Sequence, residues 1–416
     1  MTTKTTAESC GVRYLSDLLL GVSPILLAVQ LLGWLTFFPS ALHGHADFRQ
    51  LYAAGYMVRS GHAGELYDYR AQQKFQDMLV GSDERALPFI RPAYQALFFA
   101  PFSLLSYRTA YLMYLGLNLV LLTITFWLLR AHMRNLARAW RGLPVFVFLV
   151  FYPIALALMQ GQDSILLLTL LAAALVALDR GWELVAGILV GLGLFKLQIV
   201  ISIALLFLLW KRWRFFAGFA FSASLVSLVS LLVVGFAQTA AYARSLLSVG
   251  TSIASANQFP LRVNIMANLR GLIFGLTGAR LSALWIQALT IVASILVLLW
   301  VAVLAPRRPR RTDALVSAIT ASVIVSYYLF IHDLSVLLIP IALMLDRFIV
   351  AHAETTGGVL DRATAWMSAG LLVAPMCIFL MPGHFYLVSL PLCAFMVILM
   401  WSLRREQEPA NLPRSR

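Results

Sequence analysis

The sequence predicts an all-α polytopic membrane protein: a bundle of about 10–12 transmembrane helices with amphipathic helices in the first external loop. Three observations predict it. Of 416 residues, 61% are hydrophobic and only 12% charged, against about 25% charged in soluble domains. Apolar runs of about 20 residues recur from end to end, each long enough to cross a bilayer. The net charge is +14, and the basic residues sit in short clusters between those runs. That is the pattern of the positive-inside rule, not of a nucleic-acid-binding surface. The mean hydropathy of +0.84 agrees. Cys10, Cys377 and Cys393 form no CxxC, so neither a disulfide framework nor a zinc site is expected.

The expected spans are 18–38, 108–129, 143–160, 162–179, 184–195, 197–210, 214–235, 281–304, 313–330, 334–350, 364–381 and 385–403. The first run has no small-residue cleavage site before Trp34 and reads as a retained helix. Residues 1–17 and 404–416 are then cytoplasmic tails around a single membrane domain, 18–403, whose first external loop is 39–107. The strongest basic clusters are Arg130/Arg134/Arg138/Arg141, Lys211/Arg212/Arg214, Arg307/Arg308/Arg310/Arg311 and Arg404/Arg405. Placing all four on one side requires an even number of crossings between each pair. The segment 184–210 decides the parity. As one helix it would be about 40 Å long, enough for a crossing. A hairpin with Lys196 near its tip keeps the parity and is preferred. Its arms are too short to cross alone, which implies half-helices lining a cavity.

This topology puts Asp47, Arg91, Gln162, Asp163, Lys196, Arg262, Arg270, His332, Asp333 and His384 on the side away from the basic clusters. The loop 236–280 carries Arg244, Arg262, Arg270 and Arg280 and no acidic residue. Such a loop runs against the charge rule, and an anionic ligand such as a phosphate would explain it.

Several residues have both a structural and a chemical reading. Asp47 suits the N-cap of a helix over 48–59 and also a general base. Phe48, Tyr52 and Tyr56 share one face of that helix. It and a second helix over 69–80 either lie in the membrane interface or pack on the bundle. Gly161-Gln162-Asp163-Ser164 reads as a tight turn with Asp163 or Ser164 capping the next helix, or as a set of hydrogen bonds to sugar hydroxyls. Lys196, between apolar residues, either snorkels or meets a phosphate. Gly187, Gly191 and Gly193 favour close helix packing over a phosphate cradle. Arg91 and Arg270 read as interfacial arginines or anion contacts. His332-Asp333 reads as a cap beside an interfacial histidine, or as a functional ionisable pair. His43, His45 and His62 have no metal-ligand spacing, so no metal and no cofactor are expected.

Together these segments resemble glycosyltransferase family 87, polytopic enzymes of the GT-C superfamily that include polyprenol-phosphate-mannose-dependent mannosyltransferases. The resemblance rests on Asp47-Phe48-Arg49-Gln50-Leu51-Tyr52, Gly64-Glu65-Leu66-Tyr67-Asp68, Arg91-Pro92 through Pro101-Phe102, Gly161-Gln162, Ala186-Gly187 through Lys196, Asn268-Leu269-Arg270-Gly271-Leu272 and His332-Asp333-Leu334 through Pro340. Family members often have Pro soon after the Lys, Asn after Gly-Gln and Pro-Pro after the Arg. This chain has Leu197-Gln198, Asp163 and Pro92-Ala93 instead, differences that bear on the sugar more than on the reaction.

The resemblance implies a GT-C-like bundle in a bacterial plasma membrane, with its site facing the periplasm or exterior. It implies a polyprenyl-phosphate-linked sugar donor, mannose-like or other, and a glycolipid or glycan acceptor. The partners are these substrates and the bilayer, with no nucleic acid. Asp47 would be the catalytic base. Lys196, Arg270, His332 and Arg91 would hold the donor phosphate, and Gln162, Asp163, Tyr52 and Asp333 would contact sugar or acceptor. A single displacement of this kind inverts the anomeric centre. A transporter or flippase for a lipid-linked sugar would also place ionisable residues near half-helices, but no internal repeat is visible. A non-catalytic relative would bind the donor without turnover. Sugar transfer from a lipid donor separates an enzyme from both.

Overall fold

The computed structural model describes residues 4–81, 85–248, 262–304, 310–353 and 359–405. Arg307, Arg308 and the tail beyond Arg405 lie outside the described residues. Among those described the chain is mostly helical, with no strand, so the all-α polytopic membrane fold is the one observed. Six stretches are long and apolar enough to cross a membrane: Ser23–Arg59, Tyr107–His132, Glu183–Leu209, Trp213–Leu246, Ala283–Leu304 and Phe385–Arg404. Three of them break inside, at Gly44, at the turn Gly193–Lys196 and at Gly235.

Helix α1 (Lys4–Ser40) begins well before the expected tail boundary. A turn of π-helix follows, broken at Gly44, whose φ of +96° suits glycine. A Cβ there would lie 1.8 Å from Val80 Cγ1. The chain then enters α2 (Phe48–Arg59) and α3 (Tyr69–Val80), the two amphipathic helices expected from the sequence. Phe48 to Gly55 are all buried, so α2 packs on the bundle and does not float in the interface. Asp68 caps α3 by accepting from Arg70 N at 2.8 Å. Helix α4 (Ala93–Phe99) starts directly after Pro92.

Helices α5 (Tyr107–Leu129) and α6 (Arg134–Ala139) lead to the first basic cluster. The expected span 143–160 is two helices, α7 (Leu143–Val150) and α8 (Tyr152–Met159), because Pro153 in the first turn of α8 forces a break at Phe151. Helix α9 (Ser164–Asp179) returns.

The segment 184–210 is a hairpin. Helix α10 (Glu183–Leu192) rises to a 3-10 turn at Gly193–Lys196, and α11 (Leu197–Leu209) descends from it. The proof is the ion pair of Arg212 Nη1 with Glu183 Oε1 at 2.9 Å. A straight helix would separate those residues by about 40 Å. Helix α12 (Trp213–Ser248) then runs parallel to α10 in close contact. A Cβ on Gly187 would meet Phe215 O at 1.9 Å, one on Gly218 would meet Leu184 O at 2.0 Å, and one on Gly191 would meet Ser222 Oγ at 2.1 Å. These glycines let two backbones touch where no hydrophobic force between helices is available.

Next come α13 (Leu269–Thr277), capped by Asn268 Oδ1 on Gly271 N at 2.8 Å, and α14 (Ala283–Leu304), whose outer face is exposed apolar surface. Helix α15 (Arg311–Val325) ends early, and the chain passes through a 3-10 segment, Ile331–Leu337, before α16 (Leu338–Ala353). Helix α17 (Val359–Val373) gives way to 3-10 turns at Pro375, and α18 (Ser389–Arg405) completes the described chain.

The bundle has two unlike ends. One gathers His132 with Asp179, Thr312 with Asp179, and Glu183 with Arg212 and Arg311. Arg347 with Asp313, and Asp346 with Asn135, lie there too. The described members of the basic clusters near 130, 211 and 310 therefore share this end. The other end carries the hairpin tip.

Candidate functional site

The turn at the hairpin tip is built around buried charge. Lys196, on the last residue of the 3-10 turn, is 4% exposed. Its Nζ lies 2.6 Å from Asp333 Oδ1 and 3.0 Å from Asp163 Oδ1. Arg91, on the segment that leads into α4, donates from Nε to Asp163 Oδ2 at 2.6 Å. It also donates to Gln162 Oε1 at 3.0 Å and Gln50 Oε1 at 3.2 Å. Gln95 Nε2 donates to Asp163 Oδ2 at 2.5 Å. Asp333 accepts in addition from Ser164 Oγ at 3.0 Å and from Phe330 N at 3.0 Å. Two carboxylates thus hold two cations in a chain, Arg91–Asp163–Lys196–Asp333, that ties four separate segments together.

Burial works against the charge on Arg91, yet Asp163 outweighs it, and the guanidinium holds its proton above the ordinary arginine range. Burial would raise the Asp333 carboxyl, but Lys196 and His332 draw it below its usual value. Burial lowers the His332 imidazole below its usual value, with Asp333 opposing. His332 Nε2 lies 3.5 Å from Asp333 Oδ1, and its ring stacks on Phe330.

Asp47 lies apart from this chain. It occupies the N-cap position of α2, but its side chain does not cap the helix. Its backbone is already αR, with φ −60° and ψ −19°, which turns the carboxylate away from the first-turn amides. The capping expectation is therefore corrected. Asp47 Oδ2 accepts from Gln162 Nε2 at 2.6 Å, and Asp47 N donates to Gln160 Oε1 at 2.9 Å. Phe48 N donates to Gln160 O at 3.0 Å. The Phe48 ring is buried among Tyr114, Tyr107, Tyr111 and Phe99, with centroids at 5.2, 5.8, 5.9 and 6.1 Å. Gly161, at φ +59°, leaves room for it: a Cβ there would stand 2.8 Å from Phe48 Cβ. The aromatic cluster and the Gln160-Gly161-Gln162 turn fix the carboxylate between them.

Asp47, Arg91, Gln162, Lys196 and His332 line one cavity of about 340 Å³. Its walls also include Gln50, Gln160, Arg262 and Tyr328, with apolar Phe195, Ile265, Phe330 and Ile331. Of these polar residues, Gln50, Gln160, Tyr328 and Arg262 stand outside the expected site set, as does Gln95, which bonds to Asp163. Neutral amides beside a Gly-Gln turn and a tyrosine in an apolar run give little signal. Only the Gln-Gly-Gln spacing points to Gln160.

Four expected site residues stand elsewhere. Tyr52 donates its hydroxyl to Leu105 O at 2.8 Å and packs its ring edge-on to Tyr107 at 5.5 Å. It belongs to the aromatic cluster and not to the cavity wall. Arg270 lies over the Tyr327 ring at 4.5 Å and donates to Tyr327 O at 3.4 Å, behind the wall. Asp163 and Asp333 are 0% and 1% exposed, and neither is a wall residue. Their oxygens are taken up by Arg91, Lys196, Gln95, Ser164 and Phe330 N, so they hold the cations in place. Asp163 and Ser164 do not cap α9.

This cavity pairs a half-exposed carboxylate with cationic and amide side chains, under an apolar rim, at the end of a membrane bundle. That arrangement suits proton removal from a hydroxyl beside a bound anion. No curated protein and no solved structure matches the chain. Residues 89–331 match the model of glycosyltransferase family 87, a stretch that takes in Arg91, Gln162, Asp163, Lys196, Arg262 and Arg270 and stops short of Asp47 at one end and of His332 at the other. With more than half of its length matched, the chain is a membrane glycosyltransferase and belongs to glycosyltransferase family 87.

Proposed function

We propose that this enzyme transfers a sugar, mannose-like or other, from a polyprenyl-phosphate donor to a hydroxyl of a glycolipid or glycan acceptor. The reaction takes place on the external face of a bacterial plasma membrane. The observation that carries the reading is the Asp47 carboxylate. Among the described residues it bonds to a single side chain, Gln162, and it faces a cavity that Arg91, Lys196 and His332 also line. The external placement draws on the basic clusters at the opposite end of the bundle.

In the reaction the acceptor oxygen attacks the anomeric carbon, and its proton passes to Asp47. The bond from the anomeric carbon to the phosphate oxygen breaks, and polyprenyl phosphate leaves with the electron pair. One displacement from the opposite face inverts the centre. Asp47 contributes as general base, by about 10²- to 10⁴-fold. The cationic wall stabilises the phosphate charge as it grows. Cationic side chains carry that charge without a metal.

The test is Asp47→Asn in the purified full chain, assayed for transfer of radiolabelled sugar from polyprenyl-phosphate donors. The expected result is a loss of about 10²-fold or more with an unchanged melting profile. Full transfer by a folded Asp47→Asn enzyme would remove Asp47 as the base.

A further inference from the structure

The charges in the cavity do not all balance by contact. Arg91 and Lys196, two of the lining cations, are each 2.6 Å from a buried carboxylate. Their charge is largely spent on Asp163 and Asp333, and a ligand phosphate meets a nearly neutral pair of ion pairs there. His332 adds little positive charge at neutral pH, because burial lowers its pKa. One lining cation remains. Arg262 is exposed on the cavity wall, and its guanidinium has no ion pair or hydrogen bond with any other described residue. The sequence from 236 to 280, in which it lies, contains no Asp or Glu. Among the described residues the cavity therefore presents one carboxylate, Asp47, and one guanidinium, Arg262, that form no ion pair.

Arg262 is also held in position. It opens a 3-10 turn, Val263–Ile265, and Ile265 N donates back to Arg262 O at 3.3 Å. Asn264 Nδ2 ties that turn to Gly383 O at 3.2 Å, and Asn268 Nδ2 ties the following residues to Ser326 O at 2.8 Å. Met266 and Ala267 between them are buried. The same short turn brings Ile265 to the cavity wall, so a cation and an apolar side chain stand side by side.

We propose that Arg262 is the residue that binds the phosphate of a prenyl-phosphate ligand, and that Lys196 and Arg91 serve to shape the wall beneath it. The proposal rests on the glycosyltransferase reading above and deepens it. Arg262 would take the leaving phosphate by charge-assisted hydrogen bonds, while Ile265 and the apolar rim accept the start of the lipid chain. The growing negative charge of the leaving group and the proton taken by Asp47 would then fall on the two lining groups that have no ion pair among the described residues.

The experiment measures binding of farnesyl phosphate, farnesol and inorganic phosphate to the purified full chain in detergent. Wild type, Arg262→Gln and Arg262→Lys are compared. Wild type should prefer farnesyl phosphate to farnesol and to inorganic phosphate. Arg262→Gln should lose about ten- to a hundredfold of affinity for farnesyl phosphate only, and Arg262→Lys should keep most of it. If wild type prefers farnesyl phosphate and Arg262→Gln binds it equally well, the assignment of Arg262 is overturned and the site reading stands. If wild type does not distinguish farnesyl phosphate from farnesol, both fall. Inorganic phosphate bound as tightly as farnesyl phosphate would overturn the lipid part.

Discussion

Replacing Asp163 by Asn removes the central link of the buried charge chain and leaves its shape nearly intact. Asp163 is 0% exposed and meets Arg91 Nε at 2.6 Å, Lys196 Nζ at 3.0 Å and Gln95 Nε2 at 2.5 Å. After the change Lys196 keeps Asp333, and Arg91 is left with the amides of Gln50 and Gln162 and no carboxylate in contact among the described residues. Breaking a buried pair by removing one partner costs about 3–5 kcal/mol. Asn still accepts one hydrogen bond from Arg91, which puts the expected loss near about 3 kcal/mol. Arg91→Gln, which leaves Asp163 and Asp333 to share the single cation Lys196, should cost a similar amount. The double variant Arg91→Gln/Asp163→Asn restores neutrality, with Lys196 still held by Asp333 at 2.6 Å. Its loss should fall short of the sum of the singles by at least about 1.5 kcal/mol, since residues of one ion network couple by about 0.5–3 kcal/mol. The assay is equilibrium unfolding of the full chain in mixed micelles, followed by its tryptophan fluorescence. Losses that add to within about 0.5 kcal/mol would refute the idea of a single charge chain.

Gly187→Ala places a methyl 1.9 Å from Phe215 O, so α10 and α12 must part. A stability loss of about 1–3 kcal/mol or more is expected, whereas Gly64→Ala, which meets nothing within 4 Å, should be silent in the same unfolding titration. Phe48→Ala empties the centre of the aromatic cluster. It should cost about 3–5 kcal/mol and lower turnover more than donor affinity, because it releases Asp47 and leaves the cationic wall alone. His332 has a lowered pKa in the fold, so in acid the unfolded chain binds a proton that the fold refuses. Its contribution is constant above the ordinary histidine value of 6.5 and destabilises progressively below it. The melting point of His332→Gln should therefore fall less between pH 7.5 and pH 5.5, as ordered buffers of about those values, than that of wild type. Equal slopes would mean that His332 does not govern this range.

Much of the site was legible because a charge inside an apolar stretch stands out. Asp47, Arg91, Lys196 and His332 were each visible in this way, and all four reach one cavity. The fold-back at Lys196 was legible too, through the need for the basic clusters to share a side. What the sequence hid was pairing. Nothing local says that Asp163 and Asp333 spend themselves on Lys196 and Arg91, because those contacts join segments far apart in the chain. The stripe of Phe48, Tyr52 and Tyr56 has the same spacing whether it stacks on a ligand or fills a core, and for Phe48 and Tyr52 it is core. The break at Phe151 had its signal in Pro153. The interruption near His332-Asp333 was expected between the spans 313–330 and 334–350, but the early end of α15 at Val325 had no signal beyond Ser326.

The hairpin tip has a consequence for biosynthesis. Asp163 is made before Lys196, and Asp333 is made 137 residues after it. At synthesis rates of about 5–20 residues per second, that interval lasts roughly 7 to 27 seconds. Throughout it Asp163 is the carboxylate on hand for a lysine entering the membrane between two short helices. A chain without Asp163 would present that lysine bare to the insertion machinery until Asp333 arrives. Its yield in the membrane should drop further than its final stability alone accounts for, and a chain without Asp333 should not share that early defect.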